Sequence, residues 1–294
     1  MLHHRNATSQ APTRSVILGA GGFIGGAVVG KLGKSGATVV GLGRREVDLR
    51  NENAAEALAA MLRPDDALVV VSAVAPCKTA QMMLDNIRMM ASVCAALARQ
   101  PVAHLVYISS DAVYADGPLP LSEASPAAPT SLHGAMHLAR EQMLLAAAGA
   151  TPLAILRPTL VYGAGDPHNG YGPNKFRRHA NRGEPIVLFG EGEERRDHVD
   201  VEDVAEIVGL VLERRSTGVL NVATGAVASF RTLADKAVAL SPRKVEIKCS
   251  PRSGPMPHNG FRPFDPGATY AAFPEFRYTA LDDGLARAQH QEFG

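Results

Sequence analysis

The chain contains the segment Ser15-Val16-Ile17-Leu18-Gly19-Ala20-Gly21-Gly22-Phe23-Ile24-Gly25, in which a short apolar run stops at a glycine-rich turn. A helical pattern follows the turn directly, over residues 23–34. Glycine lets the backbone turn tightly and lets a pyrophosphate approach the free N–H groups of a helix N-terminus. The strand–turn–helix context therefore predicts a dinucleotide-binding turn; the alternative is a turn that serves only for packing. The residues predicted to contact the cofactor here are Gly19, Gly22, Phe23, Ile24 and Gly25.

Apolar runs and helical stretches alternate beyond this turn. Strands are predicted at 38–42, 67–71, 104–108 and 153–156, and helices at 53–62, 79–99 and 132–148. Residues 67–71 are apolar throughout, as a strand buried on both faces should be. This order predicts an α/β fold with a doubly wound parallel sheet, a Rossmann domain, with right-handed crossovers.

The sequence changes character after Pro158. Residues 163–175 are rich in glycine, proline and polar side chains and predict a long loop. Further helices are predicted at 175–182 and 201–213, and short strands at 186–188, 219–222 and 245–247. We predict a flexible leader over 1–13 and a dinucleotide-binding domain over 14–160. Residues 161–294 should form a smaller, mainly substrate-binding lobe, partly interleaved with that domain.

Composition excludes several classes of protein. The 294 residues are 46% hydrophobic, enough for a sizeable core, and 30 Lys and Arg balance 29 Asp and Glu. This balance argues against a nucleic-acid binder. No apolar run approaches the roughly 18 residues of a membrane span. Three scattered cysteines form no zinc or disulfide pattern, so we expect a cytoplasmic protein.

Several ordered motifs together carry a resemblance to a known family. They are Gly19–Gly25, Tyr107-Ile108-Ser109-Ser110-Asp111-Ala112-Val113-Tyr114, Leu156-Arg157-Pro158 with Val161-Tyr162-Gly163, and the stretch from Arg196 to Ala205. Across about residues 15–288 the chain resembles the extended short-chain dehydrogenase/reductase family, in its NAD-dependent epimerase/dehydratase group. The resemblance implies an NAD(P)-dependent epimerase, dehydratase or reductase acting on a nucleotide-linked sugar or similar polyol. It also implies a homodimer formed through the helices at 79–99 and 132–148. Further cofactor contacts implied by the resemblance are Asp48, Leu49, Ala73, Val74, Ala75, His137 and Pro158.

The end of the second predicted strand bears on the choice between NAD and NADP. An acidic residue there holds the ribose 2′-hydroxyl of NAD, but this chain has Gly43 at that position, followed by Arg44 and Arg45. Guanidinium groups suit a 2′-phosphate through charge-assisted hydrogen bonds. We therefore expect NADP to be preferred, with NAD possible; the alternative is that both arginines are solvated surface residues.

The chain departs from the resembled family at the catalytic pair. The family pattern S-x-Y-G-x-S-K aligns with residues 131–137, so His133 replaces the tyrosine and His137 the lysine. Ser110 aligns with the family's catalytic Ser or Thr, and Asp111 follows it as in dehydratase-like members. Three hypotheses compete: His133 is the general acid/base, the site is degenerate and the protein is a cofactor-binding sensor or scaffold, or the histidines bind a metal. No metal is our expectation, because only Asp111 offers a third ligand.

The resemblance also implies a substrate side. Arg196 aligns with an arginine that binds a substrate diphosphate, and Asn174 and Arg262 lie in segments that contact phosphate or sugar. The alternatives are a salt bridge from Arg196 to Asp197 or Glu194 and a turn role for Asn174.

Overall fold

The computed structural model describes residues 1–294. In chain order, its strands and helices are β1 (Leu2–His4), β2 (Arg14–Leu18), α1 (Phe23–Lys34), β3 (Val39–Leu42), α2 (Ala54–Met61), β4 (Asp66–Val70), α3 (Ala80–Arg99), β5 (His104–Ile108), α4 (Leu132–Ala148), β6 (Leu153–Pro158), β7 (Leu160–Tyr162), α5 (Pro173–Arg182), β8 (Ile186–Phe189), β9 (Arg195–Asp200), α6 (Val201–Glu213), β10 (Ser216–Val222), β11 (Val227–Ser229), α7 (Phe230–Ala239), β12 (Ile247–Ser250), β13 (Phe261–Arg262), α8 (Gly267–Ala272) and α9 (Leu281–Phe293). Short 3₁₀ turns lie at Asp111–Val113 and Pro257–Gly260.

The largest element of the fold is a seven-stranded sheet in the order β1-β10-β6-β5-β4-β2-β3. All of its strands run parallel except β1, which pairs antiparallel with β10. The predicted parallel α/β sheet is confirmed. A parallel sheet of this kind places the carboxyl ends of its strands along one edge, where ligands bind in open α/β folds.

Both faces of this sheet are buried, which explains the unbroken apolar runs. Val16 and Leu18 pack in a core with α2, α3 and α4, whereas Ile17 between them packs on the opposite face with α1 and α6. Side chains alternate across a strand, so only a strand covered on both sides is apolar at each position.

A second lobe follows β7 and has its own apolar core, formed mainly by α5, α7 and α9. The sequence-based prediction missed α7, although Ser229 caps it and the buried positions Phe230, Leu233 and Ala237 have helical spacing. It also missed β9, whose sequence Arg-Arg-Asp-His-Val-Asp is too charged to resemble a strand. The predicted loop at 163–175 is shorter than expected, because α5 begins at Pro173; proline suits the first turn of a helix.

The amino terminus is more ordered than predicted. Residues Leu2–His4 pair with Gly218, Thr217 and Ser216 of β10, so the expectation of a flexible leader is wrong for this segment. The His4 Nδ1 atom lies 2.8 Å from the Ser216 hydroxyl, and its Nε2 lies 2.9 Å from the Ala272 carbonyl oxygen. These partners are more than 200 residues away along the chain, and no local pattern reveals them. In the structure, no helix is both long and apolar enough to cross a membrane.

Candidate active site

One cleft of about 1140 Å³ lies at the carboxyl ends of the parallel strands, between the large sheet and the second lobe. Most of the predicted site residues line it. They are Gly19, Gly22, Phe23, Ile24, Arg44, Arg45, Asp48, Leu49, Ala73, Val74, Ala75, Ser110, Asp111, His133, His137, Pro158, Asn174 and Arg196. Gly25 and Arg262 do not line it.

The glycine turn is built for close approach. Gly19 has a φ of +101°, and a Cβ there would lie 2.6 Å from the Ser72 backbone nitrogen. A Cβ on Gly25 would overlap the Gly19 carbonyl, so Gly25 lets α1 pack against the turn from behind, and the predicted cofactor contact becomes a packing role. No side chain caps the N-terminus of α1, and a Cβ on Gly21 would meet open space. This turn therefore fits the pyrophosphate of a dinucleotide.

Two buried side chains hold the neighbouring wall of the cleft, residues 73–75. The Asn86 side chain donates to the Val74 carbonyl (2.9 Å) and accepts from the Val74 N–H (3.0 Å). The Arg140 guanidinium donates to the Ser72 carbonyl at 2.7 Å and is fully buried. Asn86 and Arg140 thus act on the cleft from the helices behind it, where they satisfy backbone groups of an irregular segment.

The corner after β3 presents two free cations. The Glu46 carboxylate accepts from the Gly43 N–H (2.7 Å), and Asp48 pairs with Arg50 at 2.7 Å, which lowers the pKa of Asp48 to about 2. Both acids of this corner are therefore engaged within it. Arg44 and Arg45 line the cleft, are exposed and make no hydrogen bond or ion pair.

The two histidines lie on one face of α4, with ring centroids 4.7 Å apart and planes nearly perpendicular. The Nδ1 atom of His133 accepts from the Cys77 backbone N–H at 3.3 Å. The Nδ1 atom of His137 lies 2.8 Å from the Tyr107 hydroxyl, at the end of β5. Burial is the main cause that lowers the pKa of both imidazoles, so both rings are neutral near pH 7.

Gly134 sets how closely this helix approaches the end of β5. A Cβ at that position would overlap the Ala112 carbonyl oxygen. The Ser131 hydroxyl starts the helix by accepting from the Gly134 N–H (3.1 Å). The absence of a side chain at position 134 therefore brings His133 to the same part of the cleft as Ser110 and Asp111.

Asp111 is buried and faces two arginines. Its carboxylate lies 3.8 Å from Arg196 and 3.5 Å from Arg262. Arg262 is only 1% exposed, pairs with Asp116, and donates to the carbonyl oxygens of Asp111 and Tyr114. The predicted substrate contact by Arg262 is therefore corrected: its guanidinium lies behind Asp111 and holds the chain that carries this carboxylate.

The other predicted substrate residues line the cleft but have protein partners. Arg196 also lies 3.4 Å from Glu194, the salt bridge considered as the alternative. The Asn174 amide accepts from the Gly163 N–H (3.1 Å) and donates to Asp166 (3.0 Å), so it holds the loop between β7 and α5. Nowhere in the structure do three His, Cys, Asp or Glu side chains gather closely enough to bind a metal ion.

A buried ionic cluster beneath the site was missed by the sequence-based prediction. Arg157 donates to both oxygens of Glu141, at 3.0 and 2.6 Å, and the Ser109 hydroxyl donates to the same carboxylate at 2.5 Å. Ser109 and Arg157 lie in motifs quoted for the resemblance, which was the available signal. The cluster joins α4 to β5 and β6 directly under the histidines.

The chain is similar to known proteins in sequence and in structure. A family model described as "NAD dependent epimerase/dehydratase family" matches residues 15–223. The chain is 30% identical over 271 residues to dTDP-6-deoxy-L-talose 4-dehydrogenase (NAD(P)(+)) of Kitasatospora kifunensis, covering 82% of this chain and 83% of that protein. It is 41% identical over 91 residues to dTDP-L-rhamnose 4-epimerase of Burkholderia thailandensis, covering 29% of this chain and 25% of that protein.

Solved structures show the same fold at lower identity. UDP-glucose 4-epimerase of Thermotoga maritima, solved with UDP-glucose, superposes with a TM-score of 0.83 at 23% identity, covering 94% of this chain and 97% of that one. UDP-glucose 4-epimerase of Thermus thermophilus, solved with NAD, gives a TM-score of 0.82 at 24% identity, covering 94% and 98%. The doubly wound α/β architecture with a second lobe is thus shared with these proteins.

Proposed function

The chain belongs to the NAD dependent epimerase/dehydratase family, and on this basis we propose that it is an NAD(P)-dependent enzyme acting on a nucleotide-linked sugar or similar polyol, with His133 as the acid/base. One observation carries the proposal: the glycine turn and both histidines line the same cleft. A sensor or scaffold protein has no chemical need for titratable groups inside its cofactor cleft.

In this proposal the chain's own residues bind, orient and move a proton. The glycine turn holds the pyrophosphate, and Ala73, Val74 and Ala75 form the cleft wall beside it. His133 exchanges a proton with a substrate oxygen through its Nε2 atom, and Asp111 sets the local charge. The nicotinamide, when bound, supplies or accepts the hydride.

Two relatives support a position on the sugar, because their names describe a 4-dehydrogenase and a 4-epimerase of dTDP-sugars. We propose that this chain acts at carbon 4 of a dTDP-linked deoxyhexose. The test is a turnover screen with dTDP-6-deoxy-L-talose and dTDP-L-rhamnose, each with either cofactor. Turnover is monitored by nicotinamide absorbance and by chromatography of the products. Turnover supports the proposal; tight cofactor binding without turnover of either sugar favours the sensor alternative.

The preference for NADP rests on Arg44 and Arg45, which are free and face the cleft, while Glu46 and Asp48 are engaged. Arg44→Asp should weaken NADPH binding about 10- to 100-fold and NADH binding far less, because hydrogen bonds to charged groups contribute about 1.5–3 kcal/mol. A titration of both cofactors, followed by nicotinamide fluorescence, measures this. Arg243→Asp, an exposed charge reversal in the second lobe, is the matched control. An unchanged NADPH-to-NADH ratio in Arg44→Asp would refute the assignment.

We also propose a homodimer through α3 and α4. Leu84, Leu132 and Leu145 on these adjacent helices are 50%, 38% and 53% exposed, an apolar surface that a second copy would cover. Leu84→Glu with Leu145→Glu should convert the dimer to a monomer in sedimentation velocity. Leu119→Glu, at a loop leucine that is 45% exposed, should leave the dimer intact. A monomeric unmodified chain would contradict this proposal.

A further inference from the structure

Both site histidines are anchored through Nδ1 and free at Nε2. His133 Nδ1 is held by the Cys77 N–H and His137 Nδ1 by the Tyr107 hydroxyl. Neither Nε2 atom has a hydrogen-bond partner in the protein, and both residues line the cleft. Because the two ring nitrogens of a neutral imidazole have opposite hydrogen-bonding roles, the partner at Nδ1 decides what Nε2 can do.

For His133, the hydrogen-bond partner of Nδ1 allows only one tautomer of the neutral ring. A backbone amide can only donate, so the Nδ1 atom facing Cys77 carries a lone pair and no proton. The proton of the neutral ring then resides on Nε2. Moving it to Nδ1 would set two N–H groups against each other across 3.3 Å.

For His137 the partner is a hydroxyl, which can donate or accept. Tyr107 is 1% exposed, and its hydroxyl has no hydrogen-bond partner except His137. A buried hydroxyl that did not donate would leave its proton without an acceptor, which is unfavourable. Burial raises the pKa of Tyr107 to about 12, so this proton is retained at neutral pH. The Tyr107 O–H therefore donates to Nδ1, and His137 also carries its proton on Nε2.

We infer that Tyr107 is a positioning residue which, together with the Cys77 N–H, holds two neutral histidines with both Nε2–H groups directed into the cleft. The two rings then present two hydrogen-bond donors and carry no positive charge. This inference deepens the proposed function and rests on it, since the donors matter only if substrate and cofactor enter this cleft. It assigns a role to Tyr107, which lies on a strand and outside the catalytic pattern.

The charges around the two rings are consistent with this arrangement. The ring of His137 contacts that of His133. The charge of the buried Arg140 guanidinium disfavours a second positive charge on His137. Asp111 and His168 face His133 with opposite effects on its pKa, and burial outweighs both. The site therefore favours two neutral rings.

The two Nε2–H donors favour a substrate that carries a carbonyl group over one that carries a hydroxyl group. A carbonyl oxygen accepts an Nε2–H hydrogen bond directly, and a neutral imidazole is a competent donor to such an oxygen. A sugar hydroxyl that must lose its proton needs a lone pair on Nε2. His133 can therefore act as the proposed base only after the Cys77 hydrogen bond is broken and its proton has moved to Nδ1. The resting site thus fits the keto form of a nucleotide-linked sugar better than the alcohol form.

Nitrogen-15 NMR of the full chain with labelled histidine tests the inference without cofactor or substrate. Between pH 6.5 and 8, His133 and His137 should both show the shifts of a neutral ring protonated at Nε2. Tyr107→Phe should move the His137 shifts toward a mixture of tautomers and leave those of His133 unchanged. Tyr278→Phe is the matched control, because it removes another buried phenol hydroxyl, paired with Thr269 and the Ala223 N–H, and should move neither.

A proton on Nδ1 of either ring in the unmodified chain would overturn the inference. His137 chemical shifts that stay unchanged in Tyr107→Phe would overturn it as well. The spectrum of the unmodified chain decides the tautomers even if the variant does not fold. Failure of the proposed function is seen separately, as no NADPH or NADH binding in the fluorescence titration.

Discussion

Replacing His133 with phenylalanine should lower kcat about 10³-fold while cofactor affinity changes little. General acid–base catalysis contributes about 10²–10⁴-fold, and the proposed function assigns this proton transfer to His133. The ring of phenylalanine occupies similar space, so α4 and the Cys77 segment should keep their positions. Steady-state turnover of the substrate found in the dTDP-sugar screen, together with NADPH titration of each variant, measures the two effects separately.

Two further variants sharpen this result. His133→Gln keeps an N–H donor but cannot transfer a proton, so its kcat should fall less than that of His133→Phe and remain well below that of the unmodified enzyme. His290→Gln changes an exposed histidine on α9 and should leave kcat unchanged. Undiminished turnover in His133→Phe would eliminate His133 as the acid/base.

Replacing Glu141 with alanine should cost about 3–5 kcal/mol of unfolding free energy, because it leaves the Arg157 guanidinium buried and unpaired. The side chains of Arg157 and Glu141 are 8% and 1% exposed, and the Ser109 hydroxyl would lose its acceptor as well. Urea unfolding monitored by circular dichroism measures the change, since the chain has no tryptophan.

Glu206→Ala is the matched control for Glu141→Ala. Glu206 also pairs with a cation, Lys31, but both side chains are more than a third exposed. Exposed pairs contribute about 0–1 kcal/mol, so this variant should unfold almost as the unmodified chain does. Equal losses in the two variants would show that burial of the Arg157–Glu141 pair does not matter.

Local sequence patterns were sufficient to pick out residues that the fold brings to one cleft. The glycine turn, Ser110 and His133 each lie at the carboxyl end of a strand or on the helix beside it, and parallel strands bring these ends to one edge. Helix α4 was predicted with its exact bounds, and four-residue spacing placed His133 and His137 on one face. These predictions depend on periodicity along the chain, which the sequence displays directly.

Two predicted roles changed because they depended on partners distant in sequence. Arg262 was placed against substrate, but Asp116, 146 residues earlier, holds its guanidinium behind Asp111. Gly25 was counted among the cofactor contacts, but it lies behind the turn, where α1 packs against the Gly19 carbonyl. In both cases the residue type suggested a contact with a ligand, whereas the neighbouring residues in the folded chain determined what the residue contacts.

Periodicity, glycine spacing and motif order are local properties of the chain. The parallel α/β architecture, the dinucleotide turn and the two histidines could therefore be predicted from the amino-acid sequence alone. Which ring nitrogen of each histidine carries the proton depends on contacts in the folded chain. Cys77 and Tyr107 precede His133 and His137 by 56 and 30 residues, and folding alone brings their donors to the two Nδ1 atoms. A hydrogen bond between distant residues leaves no periodic trace, yet here it controls which ring nitrogen faces the cleft.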